Sequence, residues 1–423
     1  MMEKESILIK GAKVLREDMQ EVHADILIKD GVISKIGKVE EKAETVINAK
    51  SEGLAAIPGL INTHAHIAMN PLRGMTDGLS LGDFLDKTSK FDAKNSPEMI
   101  YSSAILGIAE MISNGITDFV DFYYGEDAVA KAVGDMSYQG NLAWVILDKD
   151  KTTQKGDPIS NAERFIRNEK HIGVNPMISI QGVYAASKGT IKSAYELAEK
   201  YGKNVTMHIA ETKFEVDEHR KKYGISPVEW MYKNGFMNKK LLAVHCVWLN
   251  KKEIKIIANS GAVSYNPTSN MKLGSGIPPI YEMSKNGARI TFGTDSVASN
   301  NSLNLFEEMK YGTLLQCARL NNPSAITAKE AFGFATLNAA NFLYGNRNYG
   351  IKEGSKADIV LLRKSVNMTG NDLVNDVVYS ANPSNVAATI VRGKLLYRDG
   401  FDENTARVIK KASKYISEHL PEN

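Results

Sequence analysis

The sequence predicts an α/β protein: a (β/α)8 TIM barrel with a small discontinuous β-sandwich domain from both termini. Strand-like and helix-like runs alternate eight times over about 290 residues, which matches the size and rhythm of such a barrel. Strand-rich segments of a different character lie on both sides of this repeat. The competing fold is a doubly wound open sheet, but no Gly-rich phosphate-binding fingerprint follows any strand.

Strand-like runs near both ends of the chain indicate one small domain. Apolar and polar residues alternate there with glycines between the runs, which is typical of antiparallel strands. The runs are ILIKGAKVL (7–15), ADILIKDGVISKIG (24–37), ETVINAK (44–50), ADIVLLR (357–363) and VAATIVRGKLLYRDG (386–400). The predicted organisation is a β-domain of residues 1–56 plus 347–405, a barrel of residues 57–346 and a surface helix over 406–423.

The middle of the chain supplies the eight strands of the predicted barrel. Helix-like stretches lie between several of them. Ser96 is a good helix start, because it can cap the helix and a proline follows it at the first helical position. The strand predictions cover residues 56–66, 117–123, 142–147, 174–182, 204–211, 241–249, 261–267 and 289–296.

The composition argues against several classes of protein. The 52 lysines and arginines nearly balance the 49 aspartates and glutamates, so we expect no nucleic-acid partner. No apolar stretch approaches the roughly 20 residues of a membrane span, and charges occupy the N-terminal region where a signal peptide is apolar. Two cysteines cannot form a disulfide framework, which fits a reducing compartment. We therefore expect a cytoplasmic protein without a membrane partner. The sequence leaves open whether the protein forms a homo-oligomer.

Half of the eight histidines fall within predicted barrel strands or at their ends. His64 and His66 close the first strand, and residues two apart on a strand share a face. His208 closes the fifth strand. Asp295 ends the eighth, where a carboxylate is seldom buried unless it is paired or bound to metal. Three neutral nitrogens and one carboxylate at the carboxyl ends of barrel strands suit a divalent metal such as Zn²⁺.

Two further polar residues lie near this set in the sequence. His245 shares a strand face with Leu241 and Ala243, and alone it is more often a core residue than a functional one. Glu211 follows His208 by three residues, so strict alternation points it to the opposite face. Glu211 reaches the same site only if the strand ends before it and the backbone turns.

Six motifs recur in the order and spacing of one superfamily. They are PGLINTHAH (58–66), HIAET (208–212), AVHCVWL (243–249), NPTSNMKLGSG (266–276), GTDSVASNN (293–301) and ATLNAANFL (335–343). On these motifs the chain resembles the amidohydrolase superfamily. Within it, the chain is similar to aminohydrolases of nucleobase-like rings, such as methylthioadenosine/S-adenosylhomocysteine deaminases and triazine hydrolases. The resemblance covers nearly the whole chain.

The resemblance implies a single divalent metal ion. Its ligands would be His64, His66, His208 and Asp295, with Zn²⁺ as the first expectation and Fe²⁺ or Mn²⁺ as alternatives. Superfamily members with two metals bridge them with a modified lysine from the fourth strand. The corresponding run here, VNPMISIQG (174–182), has no lysine, which favours the mononuclear form.

The resemblance also implies catalytic roles for three residues. Asp295 would take a proton from water, and His245 would orient the nucleophile. Glu211 would contact the substrate and protonate the ring nitrogen beside the attacked carbon. The expected reaction is hydrolytic deamination of a nucleobase-like or nucleoside-like heterocycle, with the oxo product and ammonia formed.

Two departures from the nucleoside deaminases concern the substrate. Those relatives have a substrate-contacting histidine after the fourth strand, and this chain has Gln181, which we expect to bind substrate. Their ribose-contacting glutamate is also unmatched, and Asp92 in FDAK (91–94) is the candidate for its place. Two alternatives therefore stay open: a hydrolase that releases chloride, an alkylamine or a cyclic amide, and a catalytically silent binding homologue.

Overall fold

The computed structural model describes residues 6–345 and 349–420. In these two segments the strands alternate with helices through the middle of the chain and cluster at both ends. The strands are β1 (Ile7–Leu15), β2 (Glu21–Lys29), β3 (Val32–Gly37), β4 (Thr45–Ile47), β5 (Leu54–Pro58), β6 (Leu60–Ala65), β7 (Ile116–Tyr123), β8 (Gly140–Ile146), β9 (Val174–Ile180), β10 (Val205–Ile209), β11 (Leu241–His245), β12 (Ala262–Tyr265), β13 (Ile290–Phe292), β14 (Ile359–Arg363), β15 (Val386–Val391) and β16 (Lys394–Arg398).

Most of the helices follow the barrel strands. They are α1 (Ala49–Glu52), α2 (Leu81–Asp92), α3 (Pro97–Ser113), α4 (Glu126–Asp135), α5 (Pro158–Asn168), α6 (Lys188–Tyr201), α7 (Lys213–Tyr223), α8 (Pro227–Lys233), α9 (Lys251–Ile257), α10 (Pro267–Lys272), α11 (Ile280–Lys285), α12 (Val297–Asn300), α13 (Leu305–Leu320), α14 (Ala328–Ala335), α15 (Leu337–Tyr344), α16 (Leu373–Asn375) and α17 (Glu403–His419). Ser96 caps α3 as predicted, since its side chain accepts the N–H of Met99. Among the described residues, no helix has the length and apolar character needed to cross a bilayer.

Strands β6 to β13 form a closed parallel barrel. Each strand pairs in parallel with the next one along the chain. The ring closes between β6 and β13, where Ala65 forms a bridge with Asp295. The N–H of Asp295 also donates to the carbonyl of His64 at 2.8 Å. The predicted barrel is confirmed, and its closure brings the ends of the first and eighth strands together.

Strands from both ends of the chain form one mixed sheet. Its order is β16-β15-β14-β5-β1-β2-β3, with β4 paired to β1. Strand β5 joins the two ends, because it pairs in parallel with β1 and antiparallel with β14. Buried apolar residues from β1 to β3 and from β14 and β15 belong to one cluster, so the sheet curls around a single core. The predicted small β-domain is confirmed. Its strands from the two ends of the chain belong to one hydrogen-bonded sheet.

The strand predicted over 56–66 is two strands, which corrects the prediction. β5 ends at Pro58 in the terminal sheet, and β6 begins at Leu60 in the barrel. Gly59 lies between them, and a Cβ atom there would come within 2.1 Å of the Thr117 hydroxyl. The chain therefore passes from one sheet to the other where only glycine fits.

The predicted surface helix over 406–423 begins earlier than expected. Helix α17 begins at Glu403, and the carboxylate of its N-cap residue Asp402 accepts N–H groups of the first turn. It packs against α3 and buries Ala412 and Ile416, while most of its other residues are at least partly exposed. Residues 421–423 of that prediction lie outside the described residues, as does the predicted boundary at 346 and 347. The domain limits therefore stay predictions.

Candidate active site

Four candidate metal-binding side chains converge at the carboxyl ends of the barrel strands. The Nε2 atom of His64 lies 3.2 Å from Nε2 of His66 and 3.3 Å from Nε2 of His208. The Oδ1 atom of Asp295 lies 3.3 Å from Nε2 of His66 and 3.7 Å from Nε2 of His64. The structure therefore brings together all four residues that the sequence proposed as ligands.

The spacing of these donor atoms fits a tetrahedral cation. Zinc ligands at about 2.0–2.2 Å from the metal stand roughly 3.3–3.6 Å from one another in a regular tetrahedron. The four separations between these donor atoms, 3.2–3.7 Å, fall close to this range. A buried carboxylate that faces two imidazole nitrogens is also costly to leave without a cation. The donor set fits a divalent metal.

Backbone carbonyls fix the orientation of two of the imidazoles. The Nδ1 atom of His66 contacts the carbonyl of Phe122, and Nδ1 of His208 lies 3.0 Å from the carbonyl of Gln181. A carbonyl only accepts, so each Nδ1 carries the ring proton and each Nε2 keeps its lone pair for a metal. Nδ1 of His64 is buried without a hydrogen-bond partner.

Close approach inside the barrel places His64 and Asp295 side by side. A Cβ atom at Gly293 would come within 2.7 Å of the Cβ of His64 and within 2.4 Å of the Oδ1 of Asn266. Two residues later, Asp295 adopts a left-handed backbone with φ 62°. Its Oδ2 accepts the Ser269 hydroxyl at 2.6 Å, which leaves Oδ1 facing the histidines.

Burial keeps two of the histidines neutral. It lowers the pKa of His64 and of His208 well below the ordinary value, and the surrounding histidines act in the same direction. For Asp295, burial favours the neutral form. When His66 is protonated, its hydrogen bond to Asp295 outweighs the burial of both groups: it holds the pKa of Asp295 well below its ordinary value and raises the pKa of His66. A metal requires neutral imidazoles and an ionised carboxylate, which the pKa shifts of His64, His208 and Asp295 favour.

Two asparagine amides fix the tautomer of His245. Its Nδ1 lies 3.0 Å from Nδ2 of Asn270 and 3.3 Å from Nδ2 of Asn266. The Oδ1 of Asn266 accepts the Ser264 hydroxyl at 3.0 Å with the amide nitrogen toward His245, and the Oδ1 of Asn270 is buried without a hydrogen-bond partner. Nδ1 of His245 therefore accepts, and Nε2 carries the proton. Burial lowers the pKa of His245 to about 4, so the ring is neutral at pH 7.

A turn in the backbone brings Glu211 into the site. β10 ends at Ile209, and Ala210 adopts a left-handed conformation with φ 53°. The Oε2 of Glu211 lies 3.7 Å from Nε2 of His245, and Oε1 accepts the Ser275 hydroxyl at 3.3 Å. The sequence predicted that Glu211 reaches the site only if the strand ends before it and the backbone turns. Both occur in the structure.

Glu211 is a carboxyl group that holds its proton near neutral pH. Burial raises its pKa to about 8, and the charge of Asp295 acts in the same direction. A carboxyl group with such a pKa can donate a proton at pH 7.

A cavity of about 240 Å³ opens from these residues toward solvent. Gln181 lines it, and its side-chain amide donates to the Tyr184 hydroxyl at 3.1 Å. Asp92 lines another part, on the same face of α2 as Phe84, and accepts the Tyr123 hydroxyl. Burial raises the pKa of Asp92 to about 6. Gln181 and Asp92 therefore both lie where a bound molecule would touch them.

The sequence left several residues of this site without a role. Asn266, Ser269, Asn270 and Ser275 hold His245, Asp295 and Glu211 through side-chain hydrogen bonds. All four belong to the motif NPTSNMKLGSG (266–276), whose small polar residues directly after a barrel strand were the available signal.

A closed parallel barrel with histidine and aspartate donors at the carboxyl ends of its strands is typical of metal-dependent hydrolases. The model of the amidohydrolase family matches residues 55–396 of this chain. The chain belongs to the amidohydrolase family.

Relatives and a solved structure resemble the chain over nearly its whole length. The 5-methylthioadenosine/S-adenosylhomocysteine deaminase of Caldicellulosiruptor saccharolyticus is 36% identical, with 98% of this chain and 99% of the relative covered. The 5'-deoxyadenosine deaminase of Methanosarcina mazei is also 36% identical, with 97% and 98% covered. A zinc-bound adenosine deaminase from Xanthomonas campestris shares the fold with a TM-score of 0.89, 24% identity and 97% and 98% coverage.

Proposed function

We propose that this protein is a metal-dependent deaminase that converts an aminated heterocycle into the oxo product and ammonia. The observation that carries the proposal is that the four candidate donors lie at the same end of the barrel as Glu211, whose pKa burial raises to about 8. Hydrolysis of a ring amine needs both activated water and a proton for the ring nitrogen. Simple amide hydrolysis does not need a proton delivered to a ring nitrogen.

His64, His66, His208 and Asp295 would hold one divalent ion, with Zn²⁺ as the first expectation. Bound there, the ion supplies a Lewis acid that lowers the pKa of water to about 7. Strand β9 carries no lysine, which supports one metal rather than two.

The chain's own residues account for the movement of protons. Asp295 is ionised and takes a proton from the attacking water. Nε2 of His245 lies 3.7 Å from the carboxyl of Glu211, and the His245 ring lies 5.7 Å from that of His64, so its N–H can donate to the attacking oxygen and orient it. Glu211 gives its proton to the ring nitrogen beside the attacked carbon. Asp295 then gives the proton it took to the amino group, which leaves as ammonia. The second proton of the water leaves the hydroxyl as the ring carbonyl forms and returns to Glu211.

The substrate class we propose is an adenosine derivative. Two relatives with 36% identity over nearly the full length are named as deaminases of 5-methylthioadenosine/S-adenosylhomocysteine and of 5'-deoxyadenosine. Gln181 and Asp92 line the cavity and are the residues we expect to adjust the choice between nucleosides and free bases.

A release assay over a chemical panel tests this proposal. The purified, Zn²⁺-loaded protein is incubated with adenosine, its 5'-modified derivatives, free aminopurines, pyrimidines, pterins and chlorinated or alkylamino triazines. Ammonia, chloride and alkylamine are each measured. We expect ammonia from at least one adenosine derivative. Release of chloride or alkylamine alone would contradict deamination in favour of another leaving group, and no release with Zn²⁺, Mn²⁺ or Fe²⁺ would favour a silent binding homologue.

A further inference from the structure

The turn between β10 and α7 is held by a second buried glutamate. Glu215 lies in the first turn of α7 and is 8% exposed. Its Oε1 accepts the N–H of Ala210 at 3.1 Å, and its Oε2 accepts the N–H of Glu211 at 2.9 Å. Both oxygens therefore bind consecutive backbone amides of the segment that carries Glu211.

This turn needs support because its backbone is unfavourable. Ala210 has φ 53°, a left-handed conformation that costs a residue with a Cβ atom free energy. The carbonyl of Ala210 is held as well, since it accepts the N–H groups of Val247 and Trp248 at 3.0 Å each. Glu215 binds one side of the turn, and the loop after β11 binds the other.

The contacts of Glu215 differ from ordinary helix capping. Thr212 is the N-cap of α7, and its hydroxyl accepts the N–H of Glu215 at 3.2 Å. In a capping box, the glutamate at this position returns to the N–H of the N-cap residue itself. Here the carboxylate reaches further back, to the two amides that precede Thr212. Its acceptor oxygens therefore serve the turn that aims Glu211.

We propose that Glu215 is a positioning residue for the proton donor Glu211, because it holds the left-handed turn that directs the Glu211 carboxyl toward His245. This inference rests on the proposed function. Without the turn, the alternation of β10 would point residue 211 away from the face of His208. The side chain of Glu215 itself needs no contact with substrate or metal.

Glu215→Gln tests the role, with Glu253→Gln as the matched control. Glutamine has one acceptor oxygen, so one of the two amides loses its partner. Glu253 is also buried and also accepts backbone N–H at a helix start, from Asn250, in the capping box of α9. We expect both variants to lower the melting temperature. Only Glu215→Gln should lower kcat, by about 10- to 100-fold, with KM within about twofold of wild type.

An infrared titration gives a readout that needs no turnover. The carboxyl band of Glu211 is assigned by subtraction of the Glu211→Gln spectrum, and its loss is followed as the pH rises. In Glu215→Gln we expect this band to be lost at lower pH than in wild type, because the released carboxyl moves toward solvent. An unchanged titration together with kcat within twofold of wild type would overturn the proposal. So would an equal loss of kcat in Glu253→Gln.

The failure of the proposed function gives a different result. If the wild-type protein releases no ammonia from the panel, deamination is wrong. The infrared titration of Glu211 in Glu215→Gln still decides whether Glu215 positions it.

Discussion

The backbone N–H of Asp295 donates to the carbonyl of His64 at 2.8 Å, and the two side chains contribute donor atoms 3.7 Å apart. The same two residues therefore close the barrel between its first and eighth strands and supply half of the candidate metal site. A tetrahedral site needs its donors at fixed separation, and here they come from distant parts of the chain. Barrel closure meets this need with a hydrogen bond between neighbouring strand ends.

The metal content of variants should distinguish the metal-binding histidines from His245, which we propose to be catalytic. Within residues 6–345 and 349–420, two sets of three donors lie close enough together to hold a metal: His64 with His66 and Asp295, and His64 with His208 and His245. Nε2 of His245 carries a proton and its Nδ1 accepts from amides, so His245 is not a ligand in our account. We expect near-stoichiometric metal in His245→Ala and strongly reduced metal in His208→Ala, measured by plasma mass spectrometry.

His419→Ala serves as the control for these metal measurements, because this histidine lies on α17 and stacks on Tyr415. It should bind metal like wild type. A loss of metal in His245→Ala as large as in His208→Ala would show that His245 is a ligand.

Asn270→Asp should reverse the tautomer of His245. A carboxylate in place of the amide accepts a hydrogen bond, so it favours a proton on Nδ1 and removes the proton from Nε2. A wrong tautomer in a catalytic histidine is costly. We expect kcat to fall at least about 10-fold with metal content unchanged, and Asn259→Asp, at the end of α9, to behave like wild type. Wild-type kcat in Asn270→Asp would show that the tautomer does not matter.

Asp92→Asn should weaken the binding of nucleosides without slowing the chemistry. Asp92 lines the cavity and contacts Tyr123 rather than the metal donors. Hydrogen bonds to a charged group contribute about 1.5–3 kcal/mol, which corresponds to roughly 10- to 100-fold in affinity. We therefore expect a KM for nucleosides about 10-fold higher, with kcat within about threefold. Asp86→Asn, on the exposed face of the same helix, is the control and should keep the wild-type KM. An unchanged KM in Asp92→Asn would show that Asp92 does not contact the substrate.

Stability should depend on the protonation of Asp118, which lies far from the candidate site. Its carboxylate accepts the N–H of Phe119 and the amide of Asn141 and contacts the hydroxyl of Tyr344. Burial raises its pKa to about 7, while an unfolded aspartate has a pKa of about 3.9. The folded state therefore binds the proton more tightly, and the free energy of unfolding decreases as the pH rises from about 4 to about 7.

Asp118→Asn removes this contribution because the side chain no longer titrates. Urea titrations between pH 4 and pH 8 should show a smaller pH dependence in the variant, by up to about 1.4 kcal/mol per pH unit. Exposed Asp127→Asn should keep the wild-type dependence. An unchanged pH dependence in Asp118→Asn would show that Asp118 is ionised in the folded protein throughout this range.

The sequence predicted the barrel and the meeting of the donor residues, because both follow from local patterns. His64 and His66 share a face through strand alternation, and parallel strands bring their carboxyl ends to one side. Strand alternation did not predict the direction of the Glu211 side chain, because that direction depends on the left-handed conformation of Ala210. Such a conformation at alanine depends on partners such as Glu215, which only the folded structure brings into contact.

The supporting amides could not be assigned from the sequence for a similar reason. Asn270 lies one helical turn after the end of its strand, where asparagine is common in loops and helix starts. Its role appears only when β11 and β12 pair and His245 comes within 3.0 Å of its amide. The break between β5 and β6 was missed because both halves are apolar, and it depends on the contact of Gly59 with Thr117.

Turnover by Glu211→Gln is the most direct test of the central claim that a buried carboxyl group delivers the proton for deamination. Ammonia release from the best adenosine derivative is measured for wild type and variant at equal metal content and at pH 7. Glutamine fills the same space but has no proton of suitable acidity to give. We expect kcat to fall by at least about 100-fold, with metal bound as in wild type. A kcat close to the wild-type value in the metal-loaded variant would contradict it.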